Sequence, residues 1–275
     1  MSTTTLYVLG ASDPEMSAIE SLLADAGVAY AYAMVGESRV HPGNAYRCDT
    51  VDGATHYVEC SPEEGHDVVT IDHHRPGDSG FGRPPEEFFS ASSVGQVWGS
   101  LGILDAPARI VIAAAADHCL GDAYRGRCPG VCPIALASWR AESRAEFQGR
   151  PVADVVADVV AAKTAILDHL GSVEYWCGKC NEAFANVDGQ CRQCDGELVV
   201  DMTGEIVPEL PEAACQLGQP VLAGPLGTPD GRQKIVLQAA CPSTIKRFLA
   251  GKIAPELVDR YGDPARGFAG GYVKG

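Results

Sequence analysis

The residues of this 275-residue chain best suited to chemistry stand directly behind short apolar runs. Asp72-His73-His74 follows the β-branched run Val68-Val69-Thr70-Ile71 and precedes Arg75-Pro76-Gly77-Asp78. A buried strand that ends this way presents three side chains able to carry protons or hold a metal, at the strand end where open α/β sheets bind their ligands. Asp13 and Glu15 follow Leu6-Tyr7-Val8-Leu9, Glu59 follows His56-Tyr57-Val58, and Asp117 closes a small-residue apolar stretch. Hard divalent cations such as Mn2+ and Mg2+ prefer carboxylate oxygens, and imidazole adds affinity for Mn2+ over Mg2+. Two such ions about 3.5–4 Å apart can activate a water and stabilise the leaving oxygen of a phosphoester. Burying so many acids without cations is costly, so a shared metal centre is the expected reason for the set.

A second constellation is Cys177-x-x-Cys180 and Cys191-x-x-Cys194, with ten residues between the pairs. Two such knuckles bring four thiolates into tetrahedral reach of one Zn2+. A closed site of this kind is structural and folds a stretch too short for its own core. Trp176, Lys179 and Arg192 beside it read equally well as stacking and phosphate contacts or as ordinary surface. Cys48, Cys60, Cys119, Cys128, Cys132, Cys215 and Cys241 show no paired framework, which favours reduced thiols over disulfides.

The elements that must position these groups follow from periodicity. Leu6–Leu9, the apolar run 29–34, the run 56–60 and the run into Asp72 read as strands. Met16, Ile19, Leu22 and Leu23 recur at helical spacing from about Glu15 to before Gly27. Helices are expected over 90–101, with Val94, Val97, Trp98 and Leu101 on one face, and over 110–119, a small apolar run that ends at Asp117 and His118. The stretches 75–85 and 121–132 are Gly-containing and read as loops. Strands alternating with helices predict an α/β fold, a parallel sheet with helices on both faces. The expected organisation is that domain over 1–135, connector helices over 136–171, a four-cysteine zinc module over 172–200, and a smaller α/β lobe over 201–275. The glycine-rich tail 262–272 reads as a loop.

Composition narrows the partners. A formal net charge of -15 repels long polyanions, so long duplex nucleic acid is disfavoured and short nucleotides or other small phosphoesters are favoured. No apolar run is long enough to span a bilayer, and residues 1–5 lack a basic region followed by an apolar core, so a cytoplasmic protein without a membrane partner is expected. The oligomeric state stays open, with a homodimer among the options.

Taken together, these residues resemble the DHH phosphoesterase superfamily, clearly over residues 5–135 and more weakly in the C-terminal lobe. The family's first motif, His-x-x-x-Asp-x-Asp, aligns with Leu9, Asp13 and Glu15; its second aspartate position with Glu59; its third motif is Asp72-His73-His74; its fourth aspartate aligns with Asp117. The resemblance implies that Glu15, Glu59, His73 and Asp117 hold one metal. It leaves the other with Asp13 and Glu59 alone, because Leu9 stands where the family has histidine. His118 is a substitute nitrogen ligand or else a capping or core residue. His74 is then expected on the scissile phosphate, with Asp72 orienting the histidine pair. Arg125 and Arg127 are phosphate contacts or a solvated basic pair. Arg266, Gly270 and Gly271 are the counterpart of the family's glycine-rich substrate-binding signature, without its histidine. The implied activity is Mn2+- or Mg2+-dependent hydrolysis of short nucleotide phosphodiesters or nucleotide phosphates. A single-strand exonuclease and a catalytically weakened nucleotide binder are the alternatives.

Overall fold

The structure is a computed structural model that describes residues 5–63, 68–172, 174–177, 183–185, 197–228 and 231–274. The chain divides into two compact units, one formed by Met1–His118 with Cys128–Val131 and the other by Cys119–Arg127 with Cys132–Gly275.

The first unit is built on a parallel sheet of β1 (Leu6–Leu9), β2 (Ala29–Tyr32), β5 (His56–Val58) and β6 (Val69–Ile71), in the order β2-β1-β5-β6. Two short strands, β3 (Met34–Val35) and β4 (Ser38–Arg39), form a separate antiparallel pair. Side chains alternate across the sheet. Tyr7 and Leu9 share one face, where the Tyr7 hydroxyl meets Ser100 Oγ at 2.7 Å. That face is covered by α1 (Pro14–Asp25) and α3 (Ser93–Ser100), and α4 (Ala108–His118) packs against both helices. Val8 and Tyr57 point the other way, into a cluster with Ala33, Val40, Ala45, Cys48 and Cys60. The expectation of helices on both faces therefore holds on one face. The second is lined by the chain between β2 and β6, with a single 3-10 turn, Ala45–Arg47, among its described residues.

Local chemistry sets the helix limits. Asp13 caps α1 by accepting from Met16 N at 2.7 Å, Pro14 opens the helix, and Gly27 follows its end at φ +65°. The helix expected over 90–101 is two, α2 (Phe88–Ala91) and α3, because Ser92 turns extended (ψ 154°) and caps Gly95 N at 3.1 Å. The stretch expected as a loop over 121–132 holds the short α5 (Leu120–Tyr124).

The second unit contains α6 (Pro133–Gln148) and α7 (Val152–Ser172) and a mixed sheet of β7 (Glu174–Cys177), β8 (Ala183–Ala185), β9 (Leu198–Thr203), β10 (Val221–Gly227), β11 (Gln233–Gln238), β12 (Val258–Asp263) and β13 (Phe268–Tyr272). One face packs Leu198, Val200 and Met202 against Ala162 and Ile166 of α7 and against α8 (Leu210–Leu217). The other packs Val199, Leu222 and Leu237 against Ile245 and Phe248 of α9 (Pro242–Leu249). A buried polar knot ties helices here: Glu212 receives Arg140 Nε at 2.8 Å and the Tyr124 hydroxyl. Among the described residues no helix is long and apolar enough to cross a membrane.

The tail read as a loop is an antiparallel strand pair. Gly270 and Gly271 lie in β13 opposite Val236 and Ile235 of β11. A Cβ on Gly270 would stand 2.6 Å from the Tyr261 ring, so the glycine lets the aromatic ring lie on the strand. Gly270→Ala is expected to destabilise the protein by about 1–3 kcal/mol through overpacking. Gly227→Ala, where a Cβ meets nothing within 4 Å, should change little. Urea melts of the two variants make the comparison, and equal midpoints would contradict the packing role.

Candidate metal centre

The site grows from the end of β6. Asp72 is fully buried. Its Oδ1 accepts from His73 N at 2.7 Å, His74 N at 3.0 Å and His74 Nδ1 at 2.9 Å, while its Oδ2 accepts from the Tyr46 hydroxyl at 2.8 Å. Burial pushes this carboxyl up, but the hydrogen bond and charge of His74, with the Tyr46 hydroxyl, outweigh it and hold Asp72 at about 2. Asp72 is thus saturated by donors and fixes both histidines. The Gln96 amide donates to Asp72 O at 3.1 Å and to Ala91 O at 2.8 Å, tying the loop to α3. Gly80 allows this close packing, since a Cβ there would lie 2.6 Å from His73 Cβ and 1.9 Å from Ala91 O.

Three acids meet in front of His73. Its Nε2 lies 2.8 Å from Asp117 Oδ2, 3.4 Å from Glu59 Oε1 and 3.9 Å from Glu15 Oε2. Asp117 comes from the last turn of α4. Glu15 comes from the first turn of α1 and spends Oε1 on Val94 N at 2.9 Å, the N-terminus of α3. Glu59 follows β5 with φ +52°, a left-handed conformation uncommon for a residue with a side chain. Gly10 makes room for that bend: its N donates to Val58 O at 2.9 Å, and a Cβ on it would lie 2.7 Å from Glu59 O.

The electrostatics separate the acids. Burial, then the charges of Glu59 and Asp117, push Asp13 up to about 8. Burial, then Asp117 and Glu59, push Glu15 well above the carboxylate range. Burial also pushes Glu59 upward, but His74 and His73 draw it below its ordinary value. Among the described residues no hydrogen-bond donor reaches Glu15 Oε2 or Glu59 Oε1, although both atoms are buried. Glu59, His73, His74 and Asp117 each offer a ligand atom, all within 4.8 Å of one another. Oxygen and nitrogen ligands about 2.1 Å from one ion stand at most about 4.2 Å apart, so a small contraction closes the set around a cation. The donor mix of carboxylates with one or two imidazoles fits Mn2+ or Mg2+.

The remaining expected residues have the following surroundings within their own units. Leu9 is fully buried and brings no nitrogen to the site. His118 stands behind His73, with Nδ1 2.9 Å from His73 Nδ1, so it does not replace the missing front ligand. Arg125 is tied to the backbone of its own unit, through Gly218 O at 3.1 Å and Ala239 O at 3.0 Å, and Arg127 pairs with Asp122. Arg266 lies in the turn between β12 and β13, its N donating to Asp263 O at 3.2 Å. Cys177 closes β7. Its side chain and all of Cys180, Cys191 and Cys194 fall outside the described residues. Sequence reasoning passed over Tyr46 and Gln96. Tyr46 sits in a polar stretch without periodicity, and Gln96 on a helix read only for its apolar face.

No protein-family model and no curated protein matches the chain. Among solved structures it is similar to the pGpG-specific phosphodiesterase PggH of Vibrio cholerae, at 13% identity, covering 99% of this chain and 93% of that one, with a TM-score of 0.41.

Tyr46→Phe removes one donor from buried Asp72 and should cost about 2 kcal/mol at pH 7. A depressed carboxylate contributes stability that is present above its ordinary range and lost as pH falls towards its folded pKa. In the variant that folded pKa is higher, so the acid loss, which starts at the same unfolded-state pKa, should be smaller and end at a higher pH. Urea titrations between pH 7 and pH 2 test this, and superimposable pH profiles would exclude the coupling.

Proposed function

We propose that the chain is a DHH-type, divalent-cation-dependent phosphoesterase acting on short nucleotide phosphodiesters or nucleotide phosphates. The observation that carries this reading is the convergence of Glu15, Glu59 and Asp117 on His73 Nε2, with buried carboxylate oxygens left without donors. The order of those residues along the chain matches the DHH pattern.

Glu15 Oε2, Glu59 Oε1, Asp117 and His73 Nε2 would hold the cation. A bound Mn2+ or Mg2+ supplies positive charge for a phosphoester oxygen and acidifies water at neutral pH. Asp72 keeps the Nδ1 proton of His74 engaged at 2.9 Å, which leaves His74 Nε2 to meet the phosphoryl group and stabilise its developing charge. Asp13, half-buried and facing the same acids, is the remaining candidate for a second ion with Glu59. With Leu9 apolar at the strand end, that second site is weak or completed by substrate. The net charge of -15 favours a small substrate over a long strand. The four cysteines Cys177, Cys180, Cys191 and Cys194 belong to this proposal as a structural zinc site.

A dinucleotide and oligonucleotide panel with Mn2+ tests the activity. Release of mononucleotide from dinucleotides but not from longer strands is expected. Preference for long single strands would favour an exonuclease, and binding without turnover would favour a weakened nucleotide binder, the reading that Leu9 supports.

A linkage follows from Asp13. Its pKa rises on folding from 3.8 to about 8 in the cation-free protein. The folded state therefore binds a proton that the unfolded state has released, and stability falls as pH rises through that window. A cation replaces that proton, so Mn2+ should raise the melting temperature more at pH 8 than at pH 5 and release protons on binding. Melts with chelator and with Mn2+ at the two pH values read this directly. A gain that does not depend on pH would sink it.

A further inference from the structure

We propose that Arg75 is a substrate-binding residue that takes a phosphate next to the scissile one, held ready by the ring of Tyr46. The proposal rests on the phosphoesterase reading above and narrows its substrate to nucleotides with a second phosphate. Arg75 follows His74 directly, and both residues are exposed. Its Cζ lies 3.3 Å from the centroid of the Tyr46 ring. Its backbone is fixed as well: Arg75 N donates to Asp78 Oδ2 at 2.7 Å, and Asp78 N donates to Arg75 O at 3.0 Å. Yet among the described residues no carboxylate or carbonyl takes the guanidinium hydrogens. Its neighbours in the same unit differ. Arg83 pairs with Glu87, Arg109 pairs with Asp25, and Arg39 donates to Gly10 O at 3.0 Å.

An exposed arginine normally gives up side-chain freedom when it binds a ligand. Stacking on Tyr46 restricts that freedom beforehand and leaves the in-plane N–H groups open. A guanidinium presents those groups as a planar fork that matches two oxygens of a phosphate. The platform is itself fixed, because the Tyr46 hydroxyl donates to Asp72 Oδ2 at 2.8 Å. The other oxygen of Asp72 accepts from His74 Nδ1 at 2.9 Å. One buried carboxylate therefore orients both groups, His74 from Oδ1 and the Tyr46–Arg75 stack from Oδ2. The carboxylate and the phenol ring separate guanidinium from imidazole along this chain, which assigns the two to different phosphates. A net charge of -15 repels an anionic ligand in general, and an unpaired cation beside the acids offsets that repulsion locally.

Two dinucleotides with a non-hydrolysable methylene phosphonate linkage, one carrying a terminal phosphate and one not, test this by calorimetry with Mn2+ present. The wild type is expected to bind the phosphorylated ligand about 10–100-fold more tightly. Arg75→Gln should erase that preference and leave affinity for the other ligand nearly unchanged. Arg75→Lys keeps the charge but not the fork, and should restore part of the preference. Tyr46→Phe keeps the ring under the guanidinium and should keep the preference, whereas Tyr46→Leu should lose most of it with the charge intact. Should the leucine variant not fold, the two arginine variants decide alone. A preference that survives in Arg75→Gln, or an equal loss for both ligands in that variant, overturns the proposal. So does a wild type that binds both ligands alike. A wild type that binds neither sinks the phosphoesterase reading itself.

Discussion

Carboxylates packed into one buried volume repel each other, and positive charge at their centre is what relieves them. Glu15, Glu59 and Asp117 all approach the same imidazole nitrogen, at 3.9, 3.4 and 2.8 Å. A buried anion without a partner costs several kcal/mol even after relaxation. The chain has two ways to meet that demand. It can hold protons, as the raised values of Asp13 and Glu15 indicate, or it can hold a cation. The two compete for the same oxygens, which couples affinity to pH. The same repulsion explains why the acids come from α1, β5 and α4, elements fixed by independent packing: no local segment would adopt such an arrangement by itself.

Asp72 shows the contrast. It is as buried as any of them, yet four hydrogen bonds saturate it and its pKa falls to about 2. A carboxylate surrounded by donors is a scaffold, and a carboxylate starved of donors is a site. Burial alone does not separate the two roles. The backbone contributes to the second role by accepting strain, with Glu59 at φ +52° and glycines at 10 and 80 where chain segments crowd.

Much of the first unit was legible in sequence because its signals are local. Short apolar runs marked β1, β5 and β6, and the helical recurrence of Met16, Ile19, Leu22 and Leu23 marked α1. What escaped depends on contacts far apart in the chain. Tyr46 reaches Asp72 across 26 positions from a segment with no periodicity. Ser92 divides one apolar stripe into two helices, which an apolar count does not register. The C-terminal tail looked like a flexible loop because glycine is poor in strands, yet Gly270 is there to admit the ring of Tyr261. His118 was readable as a polar group at a helix end, but the side of His73 on which it would fall depends on the tertiary crossing of α4 and β6.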